Sequence, residues 1–210
     1  MRGPEVFTRI ARRYDTLNRV LSLGRDRAWR RAAIEHLGPG RVLDLGGGTG
    51  AANPDLGDRE IVALDPAPEM LALNPAARRV VAYGERLPFE DESFDGVFSA
   101  YVFRNLTSVP ETLSEIHRIL RPGGVAAIVD LTRPIGRVAR RINRAGTAVV
   151  VPTIGMLAGA RKEYSYLHKS LDRLPPPEEM FAGGPLRVEA LWRMGLAGFV
   201  YGVALRKESS

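Results

Sequence analysis

The chain has 210 residues but no cysteine and only three histidines, and these scarcities exclude several classes of function. Without cysteine there are no disulfides, thiolate metal ligands or cysteine nucleophiles, and the composition is compatible with a reducing cytoplasm. His36, His117 and His168 lie far apart in the sequence, which argues against a histidine-rich metal site. No metal site is therefore predicted.

Long apolar runs are also lacking. The least polar stretch, Ala145 to Ala160, contains three glycines and one proline. It falls short of the ~20 apolar residues that a membrane-spanning helix needs. The first residues, Met1 to Glu5, include no apolar core of the kind that a signal peptide carries. We therefore expect a cytoplasmic protein.

Lysine is scarce as well, because Lys162, Lys169 and Lys207 are the only lysines among 30 basic residues. The net charge is +6, and residues 1–41 contain ten arginines against four acidic residues. Such a basic surface can contact anionic lipid or nucleic acid, but a preference for arginine codons is the favoured explanation of the composition. No Asn-Pro-Pro-Tyr tetrad, typical of enzymes that methylate base amino groups, is present, so no nucleic-acid partner is expected.

The most informative feature that is present is a glycine-rich turn. The run Val42–Leu45 is apolar apart from Asp44, and four of the next five residues, 46–50, are glycine. An apolar run without alternation is typical of a strand covered on both faces, and glycines let the backbone turn tightly beside a ligand. A second apolar run, Ile61–Leu64, also ends in an acid, Asp65. Together these runs predict the beginning of a Rossmann-type sheet.

The rest of the chain alternates between helical and strand patterns. The crossover over residues 46–60 is little longer than the ~10–12 residues that such a unit requires, so its helix must be very short or absent. We predict an α/β fold with a mostly parallel sheet, in which residues 1–40 form an N-terminal helical extension packed on a core domain of residues 41–210. Other helices are predicted over 7–21, 26–36, 69–73 and 109–120, strands over 79–82, 94–101 and 125–129, and an antiparallel hairpin over 187–192 and 199–205.

The glycine turn alone does not indicate which nucleotide-containing cofactor binds. The spacing Gly46-x-Gly48-x-x-Ala51 fits a dinucleotide fingerprint, and Asp65 lies where a ribose-binding acid belongs, so an NAD-dependent oxidoreductase is one alternative. Asp44, however, precedes the first glycine by two residues, where a carboxylate attracts an ammonium group and repels a pyrophosphate. The short crossover also weakens a helix-dipole site for phosphate. Both features favour S-adenosylmethionine.

Later motifs narrow the class of protein. Leu87-Pro88-Phe89 with the acidic turn that follows it, and Leu120 to Gly124 before the fifth strand, resemble motifs of class I methyltransferases. Three further segments resemble the menaquinone and ubiquinone biosynthesis C-methyltransferases, and the match covers nearly the whole chain. These segments are Phe7–Ser22 with its Tyr-Asp-x-x-Asn-x-x-Leu-Ser run, Arg104-Asn105-Leu106 after the fourth strand, and Tyr164–Ser170.

This resemblance implies transfer of a methyl group from S-adenosylmethionine to a ring carbon of a reduced polyprenyl quinone, with demethylmenaquinol as the expected acceptor. The stretch Ala145 to Ala160 is then expected to cover the prenyl tail or to rest on a membrane surface, and an apolar lid over the sheet is the simpler alternative. The oligomeric state stays open.

Several residues are expected to bind the cofactor. Asp65 should accept hydrogen bonds from the ribose hydroxyls, each worth ~1.5 to 3 kcal/mol, and Asp44 should lie near the ammonium group or cap the glycine turn. The family commonly has aspartate or asparagine where this chain has Tyr83, and serine where it has Ala100. These departures keep another small-molecule acceptor, or a binding protein without activity, as alternatives. The remaining residues expected around the cofactor are Gly46, Gly48, Thr49, Gly50 and Gly84.

The resemblance makes Arg104 and Asn105 the expected catalytic pair. Arginine stays protonated at neutral pH, so Arg104 is expected to stabilise a developing quinolate rather than act as a base. Asn105 is expected to hold the ring hydroxyl or a water molecule. Their alternatives are an exposed loop arginine and a helix-capping asparagine. Tyr14, on the first predicted helix, is expected either to close the pocket or to pack in the core.

Overall fold

The computed structural model describes residues 22, 24–134, 136, 141, 171 and 174–209. Helices and strands alternate along this part of the chain as the sequence predicts. The helices are α1 (Asp26–Ile34), α2 (Asn53–Leu56), α3 (Pro68–Leu71), α4 (Val109–Ile119) and α5 (Pro177–Met180), with 3-10 turns at Phe103–Asn105 and Leu196–Gly198. The strands are β1 (Arg41–Leu45), β2 (Glu60–Leu64), β3 (Arg78–Val80), β4 (Phe94–Ala100), β5 (Leu120–Leu131), β6 (Arg187–Met194) and β7 (Val200–Arg206).

The described strands form one sheet in the order β3-β2-β1-β4-β5-β7-β6. The first five strands are parallel, and β7 runs antiparallel to both β5 and β6. This arrangement confirms the predicted α/β fold, including its C-terminal antiparallel hairpin. The strand order reverses direction between β1 and β4, so the loops that follow these two strands diverge and leave a crevice at their carboxyl ends.

Both faces of the sheet are covered, which explains why its strands are apolar without alternation. On one face Leu43 packs in the same core as Ile116 of α4, and on the other face Val42 packs in the same core as Ala33 and Ile34 of α1. Successive residues of a strand point to opposite faces. Each strand between two helical layers therefore needs apolar residues at consecutive positions.

The first crossover contains only a four-residue helix, α2, as its length predicts. Asp55 of α2 accepts hydrogen bonds from Arg27 and Arg31 of α1 at 2.9 and 2.8 Å, which tie the two helices together. Strand β5 begins at Leu120, five residues earlier than predicted, because Leu120 pairs with Phe94 beyond an irregularity in the ladder. Because Pro122, Gly123 and Gly124 are typical of a turn, the sequence predicts that the strand begins only after them.

Two predictions fall on parts of the chain outside the described residues. These are the helix over 7–21 and the stretch Ala145 to Ala160. Within the described residues, no helix is long and apolar enough to cross a membrane.

Candidate active site

The glycine turn after β1 is closely packed on both sides. Gly46 has a φ of +73°, and its N–H donates to the carbonyl oxygen of Leu64 at 2.7 Å. A Cβ atom at Gly46 would overlap the side chain of Val102, which follows β4. At Gly50 a Cβ atom would lie 2.5 Å from Cδ of Pro75. The turn can approach its neighbours this closely only because these positions lack side chains.

Asp65 holds the far side of this turn. Its Oδ2 accepts a hydrogen bond from the N–H of Gly48 at 3.1 Å, and its Oδ1 accepts one from the N–H of Ala67 at 2.8 Å. Burial raises the pKa of Asp65, and the two backbone hydrogen bonds oppose that rise. Asp65 is therefore a structural link between the turn and α3. Each carboxylate oxygen has a second lone pair for a ligand hydroxyl.

Asn74 is a further support of the turn that the sequence did not reveal. Its Nδ2 donates to the carbonyl oxygens of Gly47 and Gly48 at 3.2 and 3.1 Å, and its Oδ1 accepts from Asn53 at 3.0 Å. The side chain is buried and lies far from the turn in sequence. An asparagine before a proline is typical of an ordinary turn. No local sequence pattern therefore predicts that Asn74 contacts the glycine turn.

A cavity of about 380 Å³ opens at the carboxyl ends of β1, β2 and β4. It brings together most of the predicted site residues within the described part of the chain. Gly50 and Arg104 do not line it, and Tyr14 lies outside the described residues. The predicted residues that line the cavity are Asp44, Gly46, Gly48, Thr49, Asp65, Tyr83, Gly84, Ala100 and Asn105.

The side chain of Asp44 is buried beneath the turn. The residue is 2% exposed, and its Oδ2 has no hydrogen-bond partner among the described residues. Burial and, to a lesser extent, the nearby charge of Asp65 raise the pKa of Asp44 to about 7, although Arg30 opposes the rise. A cationic group bound in the cavity would stabilise the ionised carboxylate.

Three more cavity-lining residues carry a buried polar atom without a hydrogen-bond partner in the described structure. They are Arg30 with Nε, Tyr101 with Oη and Asn105 with Oδ1. Leaving such an atom unsatisfied costs about 1–3 kcal/mol. Together with Asp44, these atoms offer donors and acceptors to a polar ligand, which fits a cofactor that carries an ammonium group, a carboxylate and hydroxyls. Sequence reasoning missed Arg30 and Tyr101.

Arg104 and Asn105 lie on the same 3-10 turn but have different surroundings. Arg104 is buried, and its Nη1 lies 2.6 Å from Oδ1 of Asp130 on β5. The backbone N–H of Arg104 donates to the other oxygen of Asp130 at 3.2 Å. Asn105 lines the cavity, and its Nδ2 donates to the carbonyl oxygen of Tyr101 at 3.2 Å. An exposed loop arginine, the alternative for Arg104, is wrong, and Asp130 was not predicted.

The rim of the cavity carries the residues that depart from the family pattern. Tyr83 is 57% exposed and lies at the mouth. Gly84 lies close to Thr112 and Leu106, because a Cβ atom there would approach their side chains to 3.2 and 3.3 Å. Ala100 is the last residue of β4, and its small side chain leaves room beside the glycine turn.

Known proteins that resemble this chain are methyltransferases. A demethylmenaquinone methyltransferase of Deinococcus radiodurans is 40% identical, with 84% of this chain and 80% of the relative covered. One of Thermus thermophilus is 36% identical over 84% of this chain and 88% of the relative, and a 2-phytyl-1,4-naphtoquinone methyltransferase of a Synechocystis species is 33% identical over 94% and 87%.

Solved structures show the same fold. An S-adenosylmethionine-dependent methyltransferase of Thermotoga maritima superposes with a TM-score of 0.69 at 19% identity, over 98% of this chain and 99% of that one. The model of the ubiE/COQ5 methyltransferase family matches residues 2–183. The chain therefore belongs to the ubiE/COQ5 methyltransferase family, whose class I fold implies the use of S-adenosylmethionine.

Proposed function

We propose that this protein transfers a methyl group from S-adenosylmethionine to a ring carbon of a reduced polyprenyl quinone precursor, with demethylmenaquinol as the acceptor. The relatives named above support the substrate class. The observation that carries the proposal is the order of groups along the carboxyl edge of the sheet.

That order matches an extended cofactor followed by an acceptor. Tyr83 follows β3, Asp65 follows β2 and the glycine turn follows β1. Ala100 ends β4, and residues 101–105 follow it. In the sheet these four strands are neighbours, in the order β3-β2-β1-β4. The adenine, the ribose and the methionine portion are therefore assigned to successive strands, and the acceptor is assigned to the β4 end.

The residues fit such a cofactor chemically. Asp65 is assigned to the ribose hydroxyls, and Asp44 is assigned to the ammonium group. Thr49 and the backbone amides of the glycine turn line the methionine portion. Tyr83 and Gly84 hold the adenine edge, where the exposed Tyr83 ring can stack on the base. When bound, S-adenosylmethionine would supply a methyl group that is already activated by the sulfonium charge. S-adenosylhomocysteine is then the leaving group, and the methylated ring carbon releases its hydrogen as a proton to water.

Positioning is the main task that remains for the protein, and it can lower a barrier by several kcal/mol. Asn105 is assigned to the acceptor, because its Oδ1 can accept the hydrogen of a ring hydroxyl at the cavity wall. Arg104 remains protonated and is oriented by Asp130. Because Arg104 does not line the cavity, we assign it to positioning the 3-10 turn that carries Asn105, and not to direct contact with the acceptor.

The direct test is turnover with the purified protein, S-adenosylmethionine and demethylmenaquinol under anaerobic, reducing conditions. Mass spectrometry should detect the singly methylated quinone, and the oxidised acceptor should give no product. Binding of the cofactor without turnover of the reduced quinol would overturn the assigned acceptor. A panel of phenols and other quinols in the same assay would then identify the alternative acceptor.

A further inference from the structure

The turn that joins β6 to β7 displays an exposed leucine on a strained backbone. Leu196 is 92% exposed, and the next residue, Ala197, has a φ of +54°. This conformation is rare for a residue with a side chain and persists only where the surroundings hold it. Arg193 holds it, because its Nη1 donates to the carbonyl oxygen of Gly198 at 3.2 Å while Glu178 binds its other nitrogens at 3.0 and 2.9 Å. Leu196 is therefore presented to solvent by a well-supported turn.

The turn lies at the same edge of the sheet as the cavity. Val200, the first residue of β7, pairs with Leu131 at the carboxyl end of β5, and the other parallel strands end at this edge too. Helix α1 connects the turn to the cavity. A Cβ atom at Gly195 would lie 3.4 Å from the ring of Trp29, and the next residue, Arg30, lines the cavity. A surface that contacts the turn thus lies next to the cavity wall.

Further apolar side chains surround Leu196. Trp29, Met194 and Phe199 are half-buried and pack against the same core on the α1 face of the sheet. Arg25 lies one helical turn before Trp29, and its carbonyl oxygen accepts the N–H of Trp29 at 3.1 Å. Singly exposed apolar residues are ordinary, whereas contiguous ones mark interaction sites. We refer to these five residues as the hairpin surface.

The outward charge beside the hairpin surface is positive. Arg25 is exposed and forms no ion pair with a described residue. Farther round α1, Arg27 and Arg31 have side chains that are 57% and 56% exposed, whereas the carboxylate of Asp55 that binds both is 1% exposed. The exposed acid Glu35 lies at the opposite end of the helix. At the carboxyl edge of the sheet, α1 therefore presents guanidinium groups and suits an anionic surface.

We propose that the hairpin surface docks on an anionic lipid bilayer, with Leu196 and Trp29 at the boundary between headgroups and acyl chains and Arg25 at the phosphates. Leucine and tryptophan are the side chains that favour this boundary, and an arginine beside them adds attraction to anionic lipid. The cavity of about 380 Å³ has the size of a single cofactor-sized ligand. Docking at its edge lets the polyprenyl tail of the acceptor remain in the bilayer. This role for the tail rests on the proposed function, but docking itself is measured without turnover.

Tryptophan fluorescence tests the docking directly, because Trp29 and Trp192 are the only tryptophans of the chain. In the Trp192→Phe variant, Trp29 is the single reporter. Vesicles that contain phosphatidylglycerol and phosphatidylcholine should shift its emission to shorter wavelength, and lipids brominated on their acyl chains should quench it. Vesicles of phosphatidylcholine alone should bind more weakly, and so should the anionic vesicles at high salt. No quenching of Trp29 by the anionic vesicles would overturn the proposal.

Co-sedimentation of the full chain with the same vesicles measures the contribution of each residue. Leu196→Glu should reduce binding about tenfold or more, since burial of a leucine side chain contributes that much. Arg25→Gln should reduce binding to the anionic vesicles about fivefold. Val188→Glu is the matched control, because Val188 is 40% exposed on the same strand but lies at the opposite edge of the sheet, and it should bind like wild type.

Two results of these measurements would contradict the docking surface. Equal vesicle binding by the wild-type and Leu196→Glu proteins would overturn it. A wild-type protein that ignores vesicles but self-associates in gel filtration, with that association lost in Leu196→Glu, would show that a second copy of the chain covers the surface instead.

Turnover separates this inference from the proposed function. With a demethylmenaquinol whose tail is short enough to dissolve in water, Leu196→Glu should match the wild-type rate. With a long-tailed acceptor in anionic vesicles, the variant should need more lipid to reach half its maximal rate. An equal lipid requirement would contradict the docking role. Vesicle binding without methylation of either acceptor would instead overturn the proposed function and leave the docking surface standing.

Discussion

At the scale of single residues, burial and hydrogen bonding decide the pKa of an aspartate side chain. Burial raises the pKa of Asp44 to about 7. At the half-buried Asp95, burial acts to raise the pKa, but hydrogen bonds from Arg121 and from the backbone N–H of Arg41 outweigh it and lower the pKa. Both aspartates belong to strands. Their different pKa values follow from what surrounds each carboxylate in the folded protein.

The raised pKa of Asp44 predicts that cofactor binding depends on pH. Below about pH 7 Asp44 is protonated, so an ammonium group can bind only after that proton is lost. The affinity for S-adenosylhomocysteine should therefore fall by up to about tenfold per pH unit below 7. Calorimetry between pH 5.5 and 8 measures this slope. Asp44→Asn should bind weakly with a flatter profile, whereas the exposed Asp58→Asn should behave like wild type.

The raised pKa of Asp44 has the opposite effect on the stability of the unliganded protein, which should fall as the pH rises. The folded state holds a proton on Asp44 that the unfolded chain releases near its ordinary pKa of 3.8. The contribution of Asp44 to stability is therefore present at low pH and is lost as the pH rises from about 4 to 7. Asp44→Asn should flatten this part of the stability profile, measured by urea unfolding. An unchanged profile in the variant would contradict the assignment to Asp44.

The buried pair of Arg104 and Asp130 is expected to be sensitive to loss of one partner. Asp130→Asn leaves the guanidinium of Arg104 without its carboxylate, and such changes cost about 3–5 kcal/mol of stability. The variant should also lose kcat more than it changes KM, because Arg104 and Asn105 share one turn.

The exposed pair of Arg121 and Asp95 provides the control for this prediction. Arg121→Gln should cost no more than about 1 kcal/mol, since solvent screens a surface pair. Urea unfolding and steady-state kinetics measure the two effects. Similar losses for the buried and the exposed pair would show that burial of Arg104 has no energetic importance.

At the scale of elements, the glycine turn depends on a neighbour that is distant in sequence. Gly46→Ala should abolish cofactor binding and destabilise the fold, because the new Cβ atom would overlap Val102 at a φ of +73°. Gly183→Ala is the control, since its φ is +69° but no atom lies within 4 Å of the added Cβ. Gly183→Ala should cost only the ~1–2 kcal/mol of the left-handed backbone conformation.

A double variant separates the two causes at Gly46. Val102→Ala removes the atoms that the new Cβ would overlap, so Gly46→Ala with Val102→Ala should recover part of the lost stability in thermal unfolding. Equal stability of the Gly46→Ala and Gly183→Ala variants would show that the contact with Val102 is unimportant.

At the scale of the whole molecule, ligand binding should stabilise the protein in a way that identifies the cofactor. A ligand present at 100 times its Kd stabilises the native state by about 2.7 kcal/mol. S-adenosylhomocysteine should therefore raise the thermal unfolding temperature, whereas NADH should leave it unchanged, because the buried Asp44 repels a pyrophosphate. If NADH but not S-adenosylhomocysteine stabilised the protein, the result would favour the NAD-dependent oxidoreductase instead.

The sequence by itself determined the order of helices and strands, the short first crossover and the position of the glycine turn. These are local properties, since apolar periodicity, glycines and prolines act on neighbouring residues. Asp44 and Asp65 were recognised for the same reason, because Asp44 interrupts one apolar run just before the glycine turn and Asp65 directly follows another.

Only the tertiary structure decided which side chains complete the site. Arg30 comes from a helix before the sheet, Asn74 reaches back to the glycine turn, and Asp130 pairs with Arg104 from a neighbouring strand. Each of these contacts joins residues that are distant along the chain. Burial and electrostatic pairing arise from that juxtaposition, so no local pattern in the sequence carries them.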